Sequence, residues 1–102
     1  MMRITYRDDK ERKNVSKQGL DFSFAEAIFD DPLAVTVYDR FEGGEHRWHT
    51  IGAVGAGHKT LLVVHVYPDP EDDQWVHVIG LREATPHERR SYEEGDYPSP
   101  DR

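Results

Sequence analysis

The sequence has no cysteine. Disulfide frameworks, thiol nucleophiles and cysteine-ligated zinc are therefore excluded. The absence fits a reducing compartment, and the chain is expected in the cytoplasm. Long apolar runs are missing too. The longest, Leu61 to Val64, falls far short of the roughly 20 residues a membrane-spanning helix needs. Met1-Met2-Arg3-Ile4 opens no apolar stretch of the kind that directs export. No membrane association is expected. Positive charge is scarce: 13 Lys and Arg face 20 Asp and Glu, for a net charge of −7. Averaged over the surface, such a balance repels nucleic acids and anionic membranes.

The 102 residues suffice for one domain but not for two cores. Charged residues make up 32%, yet aromatics reach 11%, too many for a disordered chain. The domain is expected over residues 1–94, with 95–102, containing Pro98 and Pro100, as a flexible tail. The charge is uneven. Residues 1–67 hold ten acids and nine bases, net −1, whereas 68–102 hold ten acids and four bases, net −6. Much of the acidity sits in Pro68-Asp69-Pro70-Glu71-Asp72-Asp73. A cationic surface elsewhere is compatible with the acidic total.

Residues 3–6 suit a short strand. A polar helix follows from Asp8 or Asp9 to about Lys17, stopped by Gly19. Ser23-Phe24-Ala25-Glu26 reads as a capping box opening a second helix, which ends at Asp30-Asp31-Pro32. Leu33 to Tyr38 alternates and is β-branched, hence a strand, with a loop over Arg40–Glu45. Three more strands are expected at about Arg47–Val54, Thr60–Tyr67 and Gln74–Leu81. Short links between them make antiparallel neighbours. Thr85-Pro86-His87-Glu88 is a second capping box and starts a last helix running to about Glu94. The expected class is α+β: an antiparallel β-meander with N-terminal helices and a C-terminal helix.

Strand side chains alternate between faces. Symmetric pairing about the loops places His49 beside His65, and His65 beside His77, with Arg47, Tyr67 and Trp75 alongside. Three uses of that face stay open. It can be a half-solvated sheet surface. It can transfer protons in phosphodiester chemistry, because imidazole titrates near neutrality. It can offer three imidazoles to zinc, although no His-Glu-x-x-His pattern is present.

Several segments carry a family resemblance. These are Asp8 to Phe22; Ala25-Glu26-Ala27-Ile28-Phe29-Asp30-Asp31-Pro32; Glu45 to Gly52; Leu61 to His65; Val78 to Thr85; and Glu88-Arg89-Arg90-Ser91-Tyr92. In order and spacing, over about residues 4–94, they resemble the BrnT toxins, small ribonucleases of type II toxin–antitoxin systems. The resemblance implies a RelE-like fold and cleavage of messenger RNA. It implies a BrnA-like antitoxin as partner, and contact with DNA only through that antitoxin. Arg47 and Arg82 match family positions and are the expected phosphate contacts, since the guanidinium fork suits phosphoryl oxygens. Lys17 comes from the family's Lys-x-Gly motif as a weaker electrostatic contact.

Independently of the family, such cleavage needs a base for the attacking 2′-hydroxyl, an acid for the leaving oxygen and cations for the growing charge. His49 and His65 are the acid–base candidates, with His77 behind them, and Trp75 or Tyr67 can stack a base. The chemistry requires no metal or cofactor. Two departures from the family, Gln18 for His and Glu83 for Lys, support an alternative: a RelE-like binding module that keeps only its antitoxin. A His-based metal protein is a lower alternative.

Overall fold

The computed structural model of the chain describes residues 2–7, 23–55 and 59–98. The helix expected over 8–17, Lys17 within it, and the chain end from 99 lie outside the described residues.

The elements are β1 (Arg3–Tyr6), α1 (Phe24–Asp30), β2 (Val35–Glu42), β3 (Glu45–Val54), β4 (Lys59–Val66), β5 (Trp75–Glu83) and α2 (Pro86–Glu93). The fold is α+β, with five strands ordered β1-β5-β4-β3-β2. Strands β2 to β5 pair antiparallel with their sequence neighbours. Strand β1 lies parallel to β5, with Arg3 opposite Trp75 and Tyr6 opposite Val78. The sheet is thus mixed, not the wholly antiparallel one expected. A parallel pair needs a long crossover, and the whole chain between β1 and β5 provides it.

Strand β2 runs on to Glu42, through part of the expected loop. Gly43 and Gly44 both have positive φ (63° and 80°), which suits a two-residue turn whose twist matches the strands. The loop shrinks to these two residues because glycine adopts that geometry without a Cβ clash.

The register departs from the expected one. Trp48 faces His65, and His49 faces Val64. The last β3–β4 pair is Val54–Lys59, so Lys59 belongs to the strand and not to the connection. Shortening that connection by one residue flips every β4 side chain relative to β3. Between β4 and β5, Val64 pairs with Gly80 but His65 with Val78, so Ile79 is an extra, bulged residue.

Leu61, Val63 and His65 therefore share a face with Trp48, Thr50 and Gly52. Helix α1 seals that face: Ala25 and Ile28 are buried against Leu61, Val63, Val78 and Leu81. Each large aliphatic buried there contributes about 1.5–3 kcal/mol. Gly52 allows the approach, since a Cβ on it would stand 3.1 Å from the Ile28 carbonyl oxygen. On the opposite face, Ile51 pairs with Leu62, and Leu62 with Arg82.

Ser23 makes no side-chain cap on α1; the Glu26 N–H instead donates to the Ser23 carbonyl at 3.2 Å. Just past α1, the Asp31 carboxylate accepts from Leu33 N–H (2.9 Å), Ala53 N–H (2.8 Å) and the Tyr92 phenol. Burial works to raise its pKa, but those hydrogen bonds outweigh it and hold the group below the usual Asp value. Helix α2 opens on the full capping box expected from the sequence. Glu88 N–H donates to Thr85 Oγ1 (3.1 Å), and Thr85 N–H to Glu88 Oε1 (2.9 Å). Residues 95–98, expected as tail, fold back on the domain: Ser91 Oγ donates to Asp96 at 2.9 Å, and Tyr97 reaches the sheet.

Candidate active site

His49 lies on the face opposite α1, paired with Val37 of β2 and Val64 of β4. The β2–β3 register shifts between Tyr38 and Arg40, leaving Asp39 unpaired. A bulge re-aims the side chain it displaces. Asp39 Oδ2 stands 3.9 Å from His49 Nδ1 and also takes Arg40 Nη1 at 3.1 Å. On the other side of the ring, Tyr97 Oη lies 2.6 Å from His49 Nε2. Burial, followed by the charge of Glu88, pushes the Tyr97 phenol up to about 12. It therefore stays protonated at neutral pH. The Asp39 carboxylate facing Nδ1 favours the ring proton there, and with that tautomer Nε2 accepts from the Tyr97 hydroxyl.

Burial also lowers the His49 pKa. The charges of Asp39 and Glu88 pull it back up, the cation of Arg82 opposes them, and the net shift is downward. His49 is accordingly a neutral imidazole at neutral pH, with only 15% of its side chain exposed.

Arg82 reaches this cluster because of the Ile79 bulge. Strict alternation would place it with Val76 and Val78, on the α1 side. The extra residue moves it to the other face, opposite Leu62. Its guanidinium forms a two-pronged pair with Glu88, Nη1 to Oε1 at 2.8 Å and Nη2 to Oε2 at 3.0 Å. Nη1 also donates to the Glu83 carbonyl at 3.1 Å. The bond to Arg82 is the main force holding Glu88 below the usual carboxylate range, and the same bond raises the Arg82 pKa. Two of the five guanidinium N–H groups, on Nε and Nη2, are not used by these bonds.

The other residues singled out in the sequence are dispersed. Arg47 sits at the β2–β3 hairpin, 3.6 Å from both Glu42 and Glu45. Its Nε is buried without a hydrogen-bond partner among the described residues. His77 Nδ1 is 2.7 Å from Thr5 Oγ1, which also accepts from Trp75 Nε1 at 3.1 Å. The Arg3 guanidinium lies 4.1 Å over the Trp75 ring. Through the Val66–His77 pair, His77 and Trp75 share the His49 face, but at the β1–β5 side of the sheet. Tyr67 lies on the α1 side, edge-on to Trp48 (5.5 Å) and His65 (5.3 Å).

His65 is 0% exposed. Thr50 Oγ1 lies 2.9 Å from its Nε2, and Phe29 packs edge-on against its ring at 5.3 Å. Burial, aided by the nearby His49, pushes its pKa down to about 4. The expected row of three imidazoles is thus absent. The β4 register turns His65 inward, and the Ile79 bulge separates it from His77. Among the described residues, no group of three or more His, Asp and Glu is placed to hold a metal ion.

Two members of the cluster escaped sequence reasoning. Asp39 is an acid interrupting a β-branched run, a signal for a bulge. Tyr97 is the lone aromatic of a Gly- and Pro-rich terminus. Glu88 was legible only as a helix cap.

The sequence pattern of the ribonuclease toxin BrnT, of type II toxin–antitoxin systems, matches residues 6–88. The chain belongs to the BrnT family. No curated protein matches it. The BrnT match spans Asp39, His49, Arg82 and Glu88 and stops before Tyr97. A type II system implies a protein antitoxin as partner. Among the described residues, no helix is long and apolar enough to cross a membrane.

Proposed function

We propose that this BrnT chain is an endoribonuclease that cleaves messenger RNA by metal-independent attack of a ribose 2′-hydroxyl. The observation that carries the reading is the neutral His49, held between Tyr97 and Asp39 beside the cation of Arg82. The 2′-hydroxyl gives its proton to the Tyr97 oxygen as the phenol passes its own to His49 Nε2. The O2′–P bond forms, the P–O5′ bond breaks, and the leaving oxygen takes a proton from water. Asp39 stabilises the imidazolium. The free donors of Arg82 take the charge growing on the phosphoryl oxygens.

The same face offers a route for the rest of the strand. Arg47 lies along β3, and Arg3, Trp75 and His77 lie towards β1, with Trp75 able to stack a base. Lys17 is a further electrostatic contact in this proposal. His65 and Tyr67, on the α1 side, take no part in the chemistry. The fold is read as RelE-like, and contact with DNA as occurring only through the antitoxin.

One observation favours a second reading, a binding module that keeps its antitoxin but has lost catalysis. Both guanidiniums are already paired, Arg82 with Glu88 and Arg47 with Glu42 and Glu45. Incubating purified protein with RNA in the presence of a chelator separates the two. Cleavage that disappears in His49→Gln supports the nuclease. Intact RNA, with no growth arrest on expression but a stable antitoxin complex, supports the module.

A further inference from the structure

The α1 side of the sheet carries a feature the nuclease reading does not use. Aromatic rings run without a break across β2, β3 and the end of β4. Phe41 lies tilted against His46 (4.8 Å) and His46 against Tyr38 (5.7 Å), while Tyr38 meets Trp48 (5.3 Å) and Trp48 meets Tyr67 (5.5 Å) edge to face. Phe41 and Tyr38 are 59% and 47% exposed, on a strand with no neighbour on its outer edge in the described sheet. The strip leads into an open groove of about 440 Å³ between His46, Trp48, Tyr67, Pro68 and Pro70.

The loop that supplies those two prolines carries Asp69, Glu71, Asp72 and Asp73, all exposed. Asp69 and Asp72 accept from backbone N–H groups of the same loop, Glu71 and Gln74, which orders the loop and leaves its negative charge intact. Among the described residues, no Lys or Arg lines the groove. Glu45, at its end, is already paired with Arg7 and Arg47, so the negative rim is the loop itself.

Aromatic faces beside four carboxylates repel phosphate and attract a cation carried on an apolar stem. We propose that this groove docks a basic segment of the protein antitoxin, with aliphatic side chains in the groove and Arg or Lys against the rings and the 69–73 loop. The inference rests on the BrnT reading for the existence of that partner. The groove lies on the opposite face from His49, so the anchor is separate from the catalytic cluster.

The test titrates the full chain with a short peptide alternating Arg with Leu, an uncharged Ser-Leu control and a short single-stranded RNA, following backbone amide shifts. The Arg-Leu peptide is expected to shift residues 45–48 and the non-proline residues of 66–73. Phe41→Ala and the charge-neutral Asp69→Asn/Glu71→Gln/Asp73→Asn each weaken it about tenfold, and the loss from the charge variant fades in high salt. Cleavage of RNA by both variants stays at the wild-type level. Shifts at the groove caused by the RNA overturn the proposal, as does equal binding of the Ser-Leu control. Peptide shifts scattered over the surface, or none, overturn it too. If the wild type cleaves no RNA but the peptide pattern holds, the nuclease reading fails and the docking surface stands.

Discussion

His49 and His65 sit on neighbouring strands, on opposite faces of one sheet. Both are kept neutral by burial. His65 is sealed beneath α1 by Thr50, Phe29 and Tyr67 and has no exposed surface. His49 keeps a small opening and has a hydroxyl on one nitrogen and a carboxylate facing the other. Burial alone makes an imidazole neutral and inert. A neutral imidazole becomes a usable base when a proton path reaches one nitrogen and a counter-charge waits beside the other.

The contrast can be broken at four points. His49→Ala is expected to reduce RNA cleavage by about 10²–10⁴-fold with the thermal midpoint little changed, measured as initial rates on a labelled RNA. If the rate survives, His49 is not the base. His65→Ala should do the reverse. The cavity costs about 2–4 kcal/mol, seen as a drop of roughly 10 °C or more in Tm, while cleavage per folded molecule holds.

The third point is acid stability. The His65 pKa falls from 6.5 to about 4 on folding. Its contribution is complete above pH 6.5. It declines as pH falls from there towards 4, because the unfolded chain takes up the proton first. Below about 4 the loss is complete, at most roughly 3 kcal/mol. Urea midpoints of the wild type across that window should fall more steeply than those of His65→Leu, which has no proton to gain. Last, Glu88→Gln keeps the helix cap but releases Arg82. Because Arg82 meets charge that grows in the transition state, kcat for RNA cleavage should rise about threefold with KM little changed. A collapse of kcat instead would make Glu88 a participant in proton transfer.

Much of the scaffold could be read in advance. The β-branched alternation of β2 and β4 marks strands, and Thr85-Pro86-His87-Glu88 marks the start of α2, because these signals act within a few residues. What escaped depends on counting across loops. Whether Lys59 closes a pair or belongs to the connection makes no local difference, yet it decides which face His65 takes. The parallel pairing of β1 joins segments about seventy residues apart, and four residues carry no sign of their neighbour. Of the cluster, His49 and Arg82 were legible as chemistry. Asp39 and Tyr97 were not, since one needs a bulge and the other a returning chain end to bring it near.

The bulge at Ile79 also has an evolutionary reading. Losing that one codon would close the ladder, since Val78 and Gly80 would become as adjacent as their partners His65 and Val64, and Arg82 would keep its place opposite Leu62. Exchange of residue 79 and its deletion should thus both leave the guanidinium on its present side, because what is inherited there is a frame and not a side chain.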